Sequence, residues 1–400
     1  MTVRVAIDAR MSGGLSGGIE MVVIGLVAGL SRTTDNDLEY SVLSTAGRND
    51  WIRPYISGPV ELLELPVASP GALQQGYRLV RRLPLIGERV RAWREARRPL
   101  AVSDGAVERL GANVVHFLNQ AAFTTKVPSI YHPHDLQHVH LPEYFDEAER
   151  SRRDRVYGAY CRQAQIVAVA SAWVKADVQA YFGLPADKVR VVPLAPPIVE
   201  YQRLDEVDRR HLLQRLHLKP RFLLYPALTW PHKNHAGLLR TLASLRDNGL
   251  VVNVVFTGRQ TEYHEALRVL ERDLRLGDQV AWLDFVSSAE LRALYQECVG
   301  VIVPTLFEAA SFPVLEAFAA GAPLAASSVT SLPEQVGDAG LLFDPADTNA
   351  MADAIRRLWT DDGLRRELAR RGRSRVEPYT WDNVAHEFQA LYREVAKIKR

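Results

Sequence analysis

Four hundred residues carrying 47% hydrophobic and 24% charged side chains make a globular chain and exclude a disordered, collagen-like or disulfide-stapled one. Forty-nine basic against forty-seven acidic residues leave a net charge of +2, so no global field favours nucleic acid and any electrostatic partner must be met by a local patch. Cys161 and Cys298 stand far apart in sequence, which supports neither a disulfide framework nor a zinc ribbon and fits a reducing, intracellular setting.

At ~150 residues per domain, two domains are expected. The start of the chain runs straight into a strand pattern without the apolar core of a signal peptide, and no uncharged apolar run approaches the ~18 residues that span a bilayer. A cytoplasmic protein is expected, at most peripheral on the inner face of the membrane.

Taken in order, β-rich runs fall at Val3–Ala9, Tyr40–Ser44, Val114–Leu118, Ser129–His132 and Gln165–Ala170, then at Phe222–Pro226, Val251–Gly258, Gln279–Val286, Val299–Pro304 and Pro323–Ser327. Helical patterns at Ile19–Ser31, His235–Asn248, Glu262–Leu276, Ala289–Cys298 and Asn349–Trp359 lie between them. This alternation predicts an α/β chain with two doubly wound parallel sheets. The proline-rich stretch Val192–Pro197 and the charged segment Arg203–Arg210 read as a linker. It separates a domain over 1–197 from one over 203–380. Ligands of such sheets bind outside the carboxyl ends of the strands, so two of them would face each other across a cleft.

Four loops at those ends carry chemistry. After the strand ending at Pro304, the run Thr305–Phe318 holds a tight small-residue turn and a helix opening with Pro313, for which Ser311 is the expected cap. Free backbone N–H groups of the turn, backed by the helix's positive end, make an anion site. Glu308 on the loop and Glu316 about one turn into the helix place two carboxylates at one ligand, where they accept hydrogen bonds from sugar hydroxyls. The loop Ala227–His235 offers Lys233, one of only seven lysines in the chain, as the cation for a diphosphate leaving group.

The glycine turn Ser12–Glu20 opens a helix without the full dinucleotide spacing, and taken alone shows only a close approach to the backbone. The run Tyr131–His140 crowds four of the eleven histidines into nine positions. His134, Asp135 and His138 have workable metal spacings, but the intervening proline and the lack of a further clustered ligand favour a substrate-contacting His134 and no metal. His138 and His140 read as structural groups, and His232 and His235 as polar groups at a helix start. The bland alternatives are that the two glutamates only complement the helix dipole and that Lys233 is a solvated charge.

Glu308 to Glu316, with Pro231-His232-Lys233-Asn234-His235, resembles the retaining glycosyltransferases of the GT-B fold, family 4, in particular mannosyltransferase-type members. Gly321-Ala322-Pro323, Ser331-Leu332-Pro333-Glu334, the run Gly337–Pro345, Gly17-Gly18-Ile19-Glu20 and His134–His138 extend the likeness over nearly the whole chain. The resemblance implies that Glu308 contacts hydroxyls of the donor sugar, Glu316 the ribose, Lys233 the diphosphate and His134 the sugar near its reacting carbon. Gly17 and Gly18 would sit against phosphates or acceptor. Ser311, Phe312, Val314, Leu315 and Gly258 complete the implied donor-binding set, and the C-terminal helix, 381–400, would pack back on the first domain.

Two departures are Ala309-Ala310-Ser311 where the family usually has Gly-Phe-Gly, and Ala227 where it often has an arginine. The resemblance implies transfer of a hexose from a GDP- or UDP-linked sugar, with GDP-mannose favoured, to a glycan, lipid-linked saccharide or other hydroxyl acceptor. The only Asp-x-Asp match, Asp35-Asn36-Asp37, reads as a solvated loop, so no metal cofactor is expected. A sugar-nucleotide isomerase or phosphorylase of the same fold and a non-catalytic binding module are the alternatives. Finally, eight arginines between Arg78 and Arg98, interleaved with apolar residues, suit either an anionic membrane surface or acceptor, or a solvated helix.

Overall fold

The computed structural model describes residues 2–11, 13, 17–66, 98–197 and 204–398. The arginine-rich stretch lies outside them except for Arg98. The chain forms two units: 1–170, 174–194 and 381–400 make the first, and 171–173 with 195–380 the second.

The first unit holds a seven-stranded sheet of β1 (Val3–Asp8), β2 (Leu38–Thr45), β3 (Val60–Leu65), β4 (Val114–Phe117), β5 (Ser129–Tyr131), β6 (Ile166–Val169) and β7 (Val189–Val191). Its spatial order is β3-β2-β1-β4-β5-β6-β7 and every pairing is parallel. The second holds β8 (Leu223–Pro226), β9 (Val254–Thr257), β10 (Val280–Trp282), β11 (Gly300–Val303), β12 (Leu324–Ser327) and β13 (Leu341–Phe343), ordered β10-β9-β8-β11-β12-β13 and again parallel. Strands β4, β5, β6, β9, β11 and β12 are buried along their whole length, as parallel strands covered on both faces must be. Strand order reverses between β1 and β4 in one sheet and between β8 and β11 in the other, and these are the points where loops diverge to leave room for a ligand.

Each expected strand is present, generally shortened. Val251 is 54% exposed and stands outside β9, which begins at Val254. Strands β3, β7 and β13 were not expected: the last two have three residues each, and Val60–Leu65 does not alternate cleanly. The charged segment expected as linker is in part a helix, Glu206–Arg215, because Asp205 caps it by accepting from the Asp208 N–H.

Asp35-Asn36-Asp37 is a solvent-exposed connection, as expected, but its two carboxylates are paired. Arg393 of the C-terminal helix (Trp381–Ala396) donates to Asp35 at 2.6 Å and to both oxygens of Asp37 at 2.8 and 2.9 Å. Arg32 pairs with Asp382 and Gln389 donates to the Tyr40 hydroxyl, so this helix belongs to the core of the first unit. It lies against the helix Gly18–Ser31, where glycine is required: a Cβ on Gly25 would fall 2.0 Å from the Trp381 ring, and one on Gly29 2.3 Å from the Trp381 carbonyl.

Gly25→Ala is therefore expected to destabilise the protein by ~1–3 kcal/mol through overpacking. Urea denaturation reads it as a lowered midpoint at unchanged slope, and an unshifted midpoint contradicts the close helix contact.

Candidate functional site

In the second unit the loops leaving β8 and β11 are sewn together by backbone bonds. The first makes a short 3₁₀ turn, Pro231–Lys233, and then Asn234 at φ 57° caps the helix His235–Asp247 by accepting from the Gly237 N–H. The same Asn234 amide donates to the carbonyls of Pro304 and Pro345, at 3.0 and 3.3 Å. The His232 carbonyl accepts from the Leu306 N–H at 2.7 Å and from the Thr305 hydroxyl at 3.1 Å, and the Tyr225 hydroxyl donates to the Lys233 carbonyl at 2.8 Å. With both loops fixed, Lys233 Nζ stands 2.6 Å from Glu308 Oε1, their side chains 20% and 11% exposed. At that exposure the two charges are screened less than in a surface ion pair, and removal of one partner strands the other's charge.

Glu308 is anchored through its backbone. Its N–H donates to the Thr330 hydroxyl, and its carbonyl accepts from the hydroxyls of Thr330 and Ser331. Ser311 is held by Gln335, whose side-chain oxygen accepts from the Ser311 N–H and whose amide donates to the Ser311 carbonyl, both at 2.9 Å. Ser311 occupies the cap position of the helix Phe312–Ala320, but its hydroxyl makes no capping bond and is buried without a partner, because the Gln335 clamp fixes the residue by its backbone. The anion site is accordingly narrower than expected. Leu306, Glu308 and Ser311 have committed their N–H groups, whereas those of Ala309, Ala310, Phe312 and Val314 have no partner among the described residues.

Val314 and Leu315 are 0% and 3% exposed, and Val314 belongs to the core of the second unit. Phe312 is half-buried. Glu316 accepts from the Tyr295 hydroxyl at 2.6 Å, a partner on the helix Ser288–Glu297 to which no local sequence pattern points. Gly258 has φ 122°, and a Cβ there would meet the Ala227 backbone at 3.0 Å, so glycine is needed for the close approach of the two loops.

His235 opens its helix as expected, but its ring does not face solvent. It is fully buried, against the rings of Tyr225, Phe256 and Trp282. Burial, with Lys233 nearby, pushes both His232 and His235 down to about 3. Asn234, Thr330, Ser331 and Gln335 escaped notice as site residues, although Asn234 and Ser331 lie inside quoted motifs.

The first unit carries His134, Gly17 and Gly18. His134 follows β5 at φ 65° and donates from Nε2 to the Leu118 carbonyl at 2.8 Å, which leaves Nδ1 as an acceptor in the neutral ring. Behind it, the Tyr392 hydroxyl, His116 and His132 form a chain with contacts of 2.7 and 2.8 Å. Burial holds His134 and His132 below their ordinary range and His116 down to about 3. His138 and His140, read as structural groups, bond Asp154 and Asp177 at 3.0 and 2.8 Å. Gly17 adopts φ 51° with open space where a Cβ would be, and Gly18 begins its helix; residues 12 and 14–16 of the glycine turn lie outside the described ones.

Two family profiles match the chain: "Glycosyltransferase Family 4" over residues 16–195 and "Glycosyl transferases group 1" over 211–375. The D-inositol 3-phosphate glycosyltransferase of Actinosynnema mirum is 31% identical over 289 residues, 68% of each chain. The O-antigen chain mannosyltransferase B of Escherichia coli is 27% identical over 263 residues, 65% of this chain and 68% of the relative. Among solved structures, Anabaena HepE in complex with UDP and glucose superposes with a TM-score of 0.72 at 17% identity, covering 98% of this chain and 100% of that one. Sucrose-phosphate synthase from Thermosynechococcus elongatus gives 0.72 at 20%, covering 98% and 99%. These likenesses identify the GT-B fold.

The buried histidines give a pH dependence of defined sign. Their folded values lie below the unfolded ~6.5, so the stability they contribute is complete above that pH and is lost as pH falls, by ~1.4 kcal/mol per unit for each group. The thermal midpoint is expected to be level above pH 7 and to fall between pH 6.5 and 5, before carboxylates titrate, with a shallower fall in His235→Phe. A midpoint constant from pH 7 to 5 contradicts this.

Proposed function

This chain belongs to the family 4 glycosyltransferases, and we propose that it moves a hexose from a nucleoside-diphosphate sugar to a hydroxyl acceptor with retention of anomeric configuration and without a metal. The observation that carries the reading is the Lys233–Glu308 pair, 2.6 Å apart beside a helix mouth whose amides at Ala309, Ala310, Phe312 and Val314 have no partner among the described residues. Cleaving the bond between the anomeric carbon and the diphosphate builds positive charge on the sugar and negative charge on the departing oxygen. A lysine ammonium and amides pre-aimed at that oxygen stabilise the change without reorganisation.

In this reading the diphosphate draws the ammonium away from Glu308, and the carboxylate so released accepts hydrogen bonds from the sugar's hydroxyls. Glu316, oriented by Tyr295, accepts from the ribose. His134 offers Nδ1 to a sugar hydroxyl, its ring fixed by the bond to Leu118. The acceptor oxygen forms the new bond to the anomeric carbon on the face the diphosphate leaves, and its proton passes to the departing phosphate oxygen, so atoms and charge balance without a carboxylate nucleophile.

Mannose is the proposed sugar, on the likeness to a mannosyltransferase, and GDP the proposed nucleotide; the UDP complex of a structural neighbour makes UDP the comparison. A glycan or lipid-linked saccharide is the proposed acceptor, and a cytoplasmic site of action, with 78–98 on an anionic membrane surface, accompanies it. No helix among the described residues is long and apolar enough to cross a membrane.

Incubation with GDP- and UDP-sugars tests the proposal. Release of nucleoside diphosphate is expected to accelerate with a saccharide acceptor, and NMR of the product to show the donor's anomeric configuration. Lys233→Ala and Glu308→Ala are each expected to lower turnover at least about tenfold. EDTA is expected to have no effect, and strong inhibition by it contradicts the metal-free route. Release that ignores the acceptor contradicts the transferase reading.

A further inference from the structure

A sugar diphosphate calls for more positive charge than one ammonium supplies, since it is doubly anionic while esterified and gains charge as the sugar departs. The loops leaving the carboxyl ends of the second unit's strands are 227–234, 258–263, 283–287, 304–311, 328–331 and 344–347. In all of them Lys233 and Arg259 are the only lysine or arginine. Lys233 stands against Glu308. Arg259, on the loop after β9, is exposed and has no hydrogen bond or ion pair among the described residues, so neither Glu262 on the same loop nor Asp284 on the next holds it.

Two sets of contacts fix where that loop runs. Strands β8 and β9 end in register, with Pro226 opposite Thr257. Gly258 therefore lies beside Ala227, and a Cβ on it would fall 3.0 Å from the Ala227 carbonyl group and 3.3 Å from the Leu228 nitrogen. Two residues past Arg259, the Thr261 N–H donates to the Thr229 hydroxyl at 2.7 Å and the Thr261 hydroxyl to the Thr229 carbonyl at 2.6 Å. Arg259 is thus held from both sides against the loop that carries Lys233. Neighbouring strands are ~4.8 Å apart, less than the length of an arginine side chain, so its guanidinium can extend over the end of β8. There the half-buried Ala227 presents no long side chain of its own.

The side chain suits the task. A guanidinium is always charged, offers paired N–H groups that match two phosphate oxygens, and is more weakly hydrated than an ammonium. Unlike Lys233, Arg259 has no carboxylate to leave, so an incoming diphosphate gains its charge without breaking an ion pair.

We propose that Arg259 is the second cation of the diphosphate site, reaching the departing group from the β9 side while Lys233 reaches it from the β8 loop. The inference rests on the transferase reading and extends it to a residue outside every motif that pointed to the donor site.

The test is calorimetric titration of GDP and UDP into the full chain and its variants. Arg259→Gln is expected to weaken the nucleoside diphosphate that binds by at least about fivefold, and Arg259→Glu to weaken it further. Ala227→Arg, added to Arg259→Gln, returns a guanidinium to the adjoining backbone position and is expected to restore affinity to within about threefold of wild type. A lost contact to base or ribose would not be restored in this way. Unchanged affinity in Arg259→Gln, or no recovery on adding Ala227→Arg, overturns the inference and leaves the donor reading intact. A wild type that binds neither GDP nor UDP contradicts the donor reading and takes this inference with it.

Discussion

A half-hidden ammonium needs a counter-ion, and the second unit is arranged around meeting that need in a way a ligand can reverse. Lys233 and Glu308 come from loops seventy-five residues apart, yet their charged atoms stand 2.6 Å from each other. Breaking such a pair without replacement costs ~3–5 kcal/mol, because each partner is then left poorly solvated. A diphosphate replaces one carboxylate by a doubly anionic group, so the ammonium never goes without a partner and the glutamate is released where sugar hydroxyls can occupy it. The pair thus serves as a stored charge arrangement, and the catalytic proposal follows from how it is exchanged.

That exchange requires the loops to stay still while the side chains move. Asn234 is the main brace, since one amide caps a helix and ties down two carbonyls from other loops. Thr330, Ser331 and Gln335 do the same for the backbone from Glu308 to Ser311. By occupying the N–H groups of Glu308 and Ser311 they also determine which amides remain for an anion. The alanines at 309 and 310, where the family usually has Gly-Phe, have N–H groups without a partner among the described residues, so the departure from the family pattern does not remove the donors. In the first unit the rigid element is the C-terminal helix, whose Trp381 and Arg393 bind it to the glycine face of the opening helix and to Asp35 and Asp37.

The alternation of strand and helix patterns made both parallel sheets legible, because buried parallel strands are short apolar runs between amphipathic helices. Lysine scarcity and a proline-opened helix singled out Lys233 and Glu308, and the fold brings them into contact. What sequence could not supply depends on distant partners. Nothing local joins Tyr295 to Glu316, or Arg393 to an Asp-x-Asp some 356 residues earlier. His235 looked polar because histidine is polar on average, whereas here a ring of aromatic neighbours makes it part of the core. Val314 and Leu315 were read as donor-binding residues from their place in the motif; both side chains are buried, Val314 within the core of the second unit, and the Val314 N–H has no partner among the described residues. Strands of three residues, such as β7 and β13, are too short to carry a period.

Calorimetric titration of a nucleoside diphosphate, without sugar, into the wild type and into Lys233→Met and Glu308→Gln variants isolates the charge exchange from turnover. The account predicts that Lys233→Met weakens nucleotide binding at least about tenfold, whereas Glu308→Gln leaves it equal or tighter because the ammonium is no longer held back. Unchanged affinity in Lys233→Met, or a loss in Glu308→Gln as large as that expected for the lysine variant, would contradict it.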